Sequence, residues 1–229
     1  MDEFNLKLIN WAEKAVNFCH NIATDRNQDF DLSFYAFQNL PKENPEILFL
    51  GINPGGEAYP YSSLYENKKW GLINDKKMTP ERFVKENPMV EEMQTWKMWK
   101  NLENIFRNDK LHKMYDSSMK MNLIYFNTPN ISDFLVRKNA TSIFNKNKDL
   151  TIDLILNIIK PKNIICLGTA QCFDKLSLKN KKILLNGKKR LLTKGDLENI
   201  PVYGIPHPSG SYTSYDDLDK ISSILNDML

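Results

Sequence analysis

The stretch Ile47-Leu48-Phe49-Leu50-Gly51-Ile52-Asn53-Pro54-Gly55-Gly56 decides how the chain is read. Its first four residues form a continuous apolar run bounded by Pro45 and Gly51. Such a run predicts a short strand buried on both faces, the kind found in parallel sheets. A polar amide, Asn53, follows directly, among glycines that permit positive φ and close backbone approach to a ligand. Pro54 lacks an N–H, stiffens the chain and pushes Asn53 away from helical geometry. The same residue types also build ordinary tight turns, so both readings stay open for the loop taken alone. It is not a phosphate-binding P-loop, because no Gly-Lys-Ser/Thr follows at the required spacing.

Outward from this stretch, the pattern alternates strands with helices. Leu8, Trp11, Ala12, Ala15, Phe18, Cys19 and Ile22 make one helical stripe between Phe4 and Ile22. Thr79-Pro80-Glu81 has the form of an N-cap with proline at the first helical position. Met93, Trp96, Met98, Trp99, Leu102, Ile105 and Phe106 give a further helix, Glu91 to Phe106, a broad apolar face that reads as core. A second strand is expected over Asn122–Phe126, ending in Asn127-Thr128-Pro129-Asn130, and a helix over Leu150–Ile159, stopped by Lys160-Pro161. Asn163–Leu167 reads as a strand cut by Gly168, with a helix after it through Cys172, Phe173 and Leu176. Asn186-Gly187 between apolar runs signals a hairpin. Pro201–Ile205 is a last strand, and the final helix carries Leu218, Ile221, Ile224 and Leu225 inward.

Strands separated by helices predict a three-layer α/β/α sandwich with a mostly parallel central sheet, as one domain over residues 1–229. Such sheets bind ligands at the carboxyl ends of their strands. The polar loops beginning at Gly51, Asn127 and Pro206 all leave from that end.

Composition narrows the class without naming a partner. The chain is 41% hydrophobic and 26% charged, ordinary values for a globular protein, and its net charge of +3 neither announces nor excludes a nucleic-acid partner. Cys19, Cys166 and Cys172 are odd in number and form no CxxC pair, which suggests neither a disulfide framework nor a zinc site. A four-cysteine cluster is impossible within the chain. The N-terminus lacks the basic start and apolar run of a signal peptide, and no apolar run is long enough to span a bilayer. A cytoplasmic protein without a membrane partner is expected.

The loop His207-Pro208-Ser209-Gly210 is the second unusual feature. An imidazole there could donate a hydrogen bond to an anion forming at the sheet edge. Lone histidines are more often satisfied structural residues, the reading that fits His20 and His112. His207 differs in following a strand within a Pro-His-Pro frame.

A Gly-Ile-Asn-Pro-Gly loop after the first strand, with His-Pro-Ser-Gly after the last, resembles the two signature motifs of the uracil-DNA glycosylase superfamily. The first is similar to the mismatch-specific uracil/thymine branch and the second to the single-strand-selective monofunctional branch. The likeness follows strand order from about Ile47 to Leu229; residues 1–45 carry none of it. It implies a base-excision DNA repair enzyme that flips a damaged base, uracil above all, and hydrolyses its N-glycosidic bond. Asn53 then matches the asparagine that positions the attacking water, and His207 the histidine that holds the charge of the departing base. Gly51, Ile52, Pro54, Gly55 and Ser209 would line the base, and Asn127 would read its edge, since an amide satisfies a carbonyl and an adjacent N–H. Asn127 is also an ordinary strand-end residue. Tyr65 would stack on the base, in competition with Tyr59, Tyr61 and Trp70. Gly210, Ser211 and Tyr212 would enter the DNA.

The resemblance implies no metal and no organic cofactor, and a monofunctional enzyme, because neither motif contains a lysine for a Schiff base. Gly56-Glu57 departs from the family pattern by placing an acid near the base, and no residue matches the side chain that excludes the thymine methyl. The second motif lacks the arginine or apolar wedge of some members. Lys179, Lys181, Lys182, Lys188, Lys189, Arg190 and Lys194 crowd the hairpin, with no acid from 179 to 194. They suit either contact with DNA phosphates or a solvated sheet edge. Two other functions remain open: a non-catalytic module that binds a modified base or nucleotide, and a Rossmann-like enzyme acting on free nucleosides. The absent glycine fingerprint counts against the latter.

Overall fold

The computed structural model describes residues 2–55, 60–61, 78–85, 97–209 and 213–229. Six strands, β1 (Ile47–Gly51), β2 (Met119–Asn122), β3 (Asn163–Leu167), β4 (Lys179–Asn186), β5 (Arg190–Leu197) and β6 (Ile200–Ile205), hydrogen-bond in the order β2-β1-β3-β6-β5-β4. β1, β3 and β6 run parallel, with Ile47 opposite Asn163 and Ile164 opposite Val202. β5 and β4 extend the sheet as an antiparallel hairpin. All of β1, and β3 from Ile164 onward, is buried, as apolar strands covered on both faces must be. This is the α/β/α class expected from the pattern, a six-stranded, mostly parallel sheet flanked by helices.

The chain divides into two compact units built from interleaved segments. One comprises Asn44–Gly51, Glu91–Lys120 and Pro161–Leu229. In it Phe49 meets the rings of Trp99, Phe106 and Tyr115 at 6.4, 5.2 and 5.8 Å, edge-on in each case. Trp99 belongs to α3 (Lys97–Ile105) and Tyr115 to α4 (Asp109–Asp116). Trp99 is core, as expected; Trp96 lies outside the described residues. The last helix, α7 (Tyr215–Met228), is capped by the Ser214 side chain, which accepts from the Asp217 N–H, and it buries Ile221 and Leu225. Leu218 and Ile224 stay half-buried. The helix expected after Gly168 is only a 3₁₀ turn, Phe173–Lys175. Gly168 turns the chain at φ 115°, and β4 already begins at Lys179, so a full helix has no room.

The other unit comprises Met1–Glu43, Ile52–Val90 and Met121–Lys160. Its first helix, α1 (Glu3–Thr24), is capped by Asp2 and buries Leu8, Trp11, Ala12, Ala15, Val16, Cys19 and Ala23. The Trp11 indole donates to the Leu150 carbonyl at 2.8 Å. At the start of α2 (Pro80–Lys85), Thr79 Oγ1 accepts from the Arg82 N–H, as the cap signal predicts. Ile131–Leu135 forms the short helix α5. The helix expected over Leu150–Ile159 begins earlier, as α6 (Ala140–Leu154), and continues as a π-helical turn through Ile159. Lys160 ends it at φ 51°, its N–H returning to the Ile155 carbonyl.

The strand expected over Asn122–Phe126 is displaced: β2 ends where it was to begin. Leu123, Ile124, Tyr125 and Phe126 are all fully buried, yet their backbone bonds go to loops and side chains. Ile124 N–H reaches the Ile52 carbonyl, and Tyr125 N–H reaches the Asn147 side-chain carbonyl. The segment around Phe34 pairs with Phe126 by an isolated antiparallel bridge. An apolar run reports burial, and burial does not require a place in a ladder. No helix among the described residues is long and apolar enough to cross a membrane.

Candidate active-site residues

β1 and β6 lie parallel on either side of β3, so Gly51 and Ile205 end at the same edge of the sheet. Asn53 and His207 each follow two residues later in the chain.

Asn53 is half-buried, and its neighbours Ile52 and Pro54 are buried. Its Nδ2 donates to the Thr128 carbonyl at 2.8 Å and to Thr128 Oγ1 at 3.0 Å. With both donors so directed, the amide is fixed in orientation and presents Oδ1, an acceptor, as its remaining polar atom. The Ile124 N–H bond to the Ile52 carbonyl, at 3.0 Å, ties the two segments together just before these residues. Thr128 adjoins Asn127, which is buried with 5% exposure, so the Asn53 loop and the Asn127 loop form one group. Gly55 does not use the left-handed backbone its type permits. Among the described residues, a Cβ there would meet nothing within 4 Å.

His207 is half-buried at the end of β6. Its Nδ1 accepts from the Ser209 N–H at 3.3 Å and meets Ser209 Oγ at 2.9 Å. The Ser209 N–H directed at Nδ1 favours the tautomer whose ring proton is on Nε2. Burial holds the imidazole pKa below its ordinary value of 6.5, so the ring is neutral at neutral pH. The loop is held from α3, where Asn101 Nδ2 donates to the Pro208 carbonyl at 2.7 Å. Asn101 was not marked by any motif. A lone asparagine within an amphipathic helix gives no signal that its partner is a loop 107 positions away.

His20 and His112 each have a neighbour within the protein. His20 Nδ1 lies 3.2 Å from the Tyr61 hydroxyl, and His112 lies 3.5 Å from Asp116. Tyr61 accepts from the Met78 N–H and packs on Phe34 at 5.1 Å, which makes it core and removes it from competition to stack on a base. Tyr65, Gly210, Ser211 and Tyr212 lie outside the described residues, as do Gly56, Glu57, Tyr59 and Trp70.

The basic hairpin is partly engaged within the protein. Arg190 makes two bonds to the Asp174 carboxylate, at 3.0 and 2.5 Å, and Lys179 pairs with Glu198 at 2.9 Å. Lys194 sits 5.6 Å from the Tyr203 ring. Lys188 and Lys189 occupy the tip with Gly187, whose N–H bonds the Lys189 carbonyl. No protein-family model matches the chain, and a search of curated proteins finds no match.

Proposed function

We propose that the protein is a monofunctional DNA glycosylase that removes uracil, or a closely related damaged base, from DNA. The observation that carries this reading is the state of Asn53, whose amide is fixed by Thr128 beside Asn127 and presents a carbonyl oxygen. A fixed acceptor suits the orientation of a water molecule, and an amide is too weak a base to remove its proton beforehand. The water oxygen bonds to the sugar C1′ as the C1′–N bond breaks, the bonding pair leaves with the base, and the proton released by the water passes to the departing base anion or to solvent. The charge developing on the base calls for a donor that is not itself cationic. A neutral imidazole with its proton on Nε2 supports that role for His207. The base edge is read by Asn127, and the lysines of the hairpin contact phosphates. Products are the free base and an abasic site; the enzyme acts in base excision repair in the cytoplasm.

Single-turnover kinetics on oligonucleotides with single lesions, read by alkaline cleavage at abasic sites, test the proposal. Parent protein should excise uracil. His207→Ala should lower the rate roughly 10²–10³-fold, the cost of losing one preorganised donor. Asn53→Ala should lower the chemical step while DNA binding persists, because water is oriented only for the transition state. Losses in the double variant should be less than additive if both act in one step. Tight binding of lesion DNA without abasic sites would instead assign a non-catalytic recognition module.

A further inference from the structure

We infer that Ser33, in the segment before β1, is a base-specificity residue that hydrogen-bonds the polar edge of the bound heterocycle together with Asn127. The inference rests on the proposed function and adds a residue from a part of the chain where no motif lies.

Two backbone bonds, Tyr35 N–H to the Tyr125 carbonyl at 3.0 Å and Asn127 N–H to the Ser33 carbonyl at 2.8 Å, flank the Phe34/Phe126 bridge. In such an antiparallel pair the next residues, Ser33 and Asn127, stand directly opposite each other with side chains on one face. Phe34 and Phe126 point to the other face, where they meet at 6.0 Å and join Phe30, Phe83 and Tyr61. The aromatic face is therefore core, whereas Ser33 and Asn127 form a polar pair on the opposite face, beside the buried Tyr125.

Ser33 is only 5% exposed, and its hydroxyl has no hydrogen-bond partner among the described residues. A buried hydroxyl without a partner is costly and calls for a cause. Folding supplies none here, because the backbone of Ser33 already makes the cross-strand bond and an alanine would keep it. The same face bears Asn127, and the adjoining Thr128 holds the Asn53 amide. A planar base with neighbouring carbonyl and N–H groups supplies what the hydroxyl lacks, since a serine can donate or accept.

The test uses the full chain and DNA carrying uracil, 2-thiouracil or 4-thiouracil, each thio group weakening one acceptor of the base edge. Ser33→Ala should lower kcat/KM on uracil about tenfold, the range expected when a ligand group loses a neutral partner in a buried site. Its melting temperature should equal or exceed that of the parent, because no protein bond is lost. One of the two thio substitutions should slow the parent but not further slow Ser33→Ala, the signature of a coupled pair. Unchanged kcat/KM with both thio effects retained would overturn the inference while leaving glycosylase activity intact. So would a lowered melting temperature with unchanged base discrimination, which would mean that the hydroxyl holds a structural water. A parent that excises none of the three bases would overturn the proposed function, and the inference with it.

Discussion

His207 carries a proton balance that can be read in solution. Burial lowers its pKa from the ordinary 6.5 by disfavouring the charged ring. If the neutral ring is the working form, excision should be flat across neutral pH and fall as pH drops through a value below 6.5. His207→Gln should abolish that acid limb. Stability follows the same sign. As pH falls, the unfolded chain takes up this proton first, so the parent should lose stability below about 6.5 while His207→Gln loses less. Thermal melts across that range check it, and an acid limb that persists in His207→Gln would assign it to another group. Asn53 and His207 were singled out as candidates in the sequence because each sits in a short loop of unusual residues directly after an apolar run. Ser33 and Asn101 were not. Serine in a loop and asparagine on a helix are commonplace, and what singles them out is a partner distant in sequence.

At the level of elements, continuous apolar runs translated well into strands wherever a ladder was waiting. β1, β3 and β6 fall within a residue of the runs that announced them. Asn186-Gly187 likewise marks the hairpin, closed where Asn186 pairs with Arg190. Leu123–Phe126 failed the same reading because the competing partners, Asn147 and the Ser33–Tyr35 backbone, are invisible to periodicity. β6 also contains a requirement that its pattern hides. A Cβ on Gly204 would lie 2.5 Å from Thr193 Oγ1 and 2.8 Å from Phe173 Cβ, so β5 and the 3₁₀ turn both close on it. Gly204→Ala should therefore destabilise the fold by about 1–3 kcal/mol, the usual cost of overpacking a filled core. Denaturant titration at unchanged slope would register it as a lower midpoint. An unshifted midpoint would mean that Phe173 yields without cost.

Over the whole molecule, charge is held very unevenly. Residues 174–198 contain eight lysines and arginines against three acids, a net +5, which leaves −2 for the rest of a chain whose total is +3. Most of this charge lies on β4 and its turn, and β4 is an edge strand of the sheet, largely exposed, with irregular register against β5. Lysine-rich, bulged edges are a means of preventing strand-to-strand aggregation, and that role alone would explain the composition. Contact with DNA predicts something further. Each phosphate neutralised by a lysine releases counterions, so the dependence of log K on log salt should flatten by about 0.9 for every contact removed. Replacing Lys182, Lys188 and Lys189 with alanine should reduce the slope on duplex DNA by about one to three such steps, with little effect on the melting temperature. Arg190 belongs to a different category, since its guanidinium is turned onto Asp174. Arg190→Ala should leave the slope nearly unchanged and cost up to about 1 kcal/mol of stability, as a half-exposed ion pair does. Fluorescence titrations over a salt series separate the two residue sets. An unaltered slope in the triple lysine variant, especially with new aggregation, would assign the hairpin to edge protection and require the phosphate contacts to be sought elsewhere.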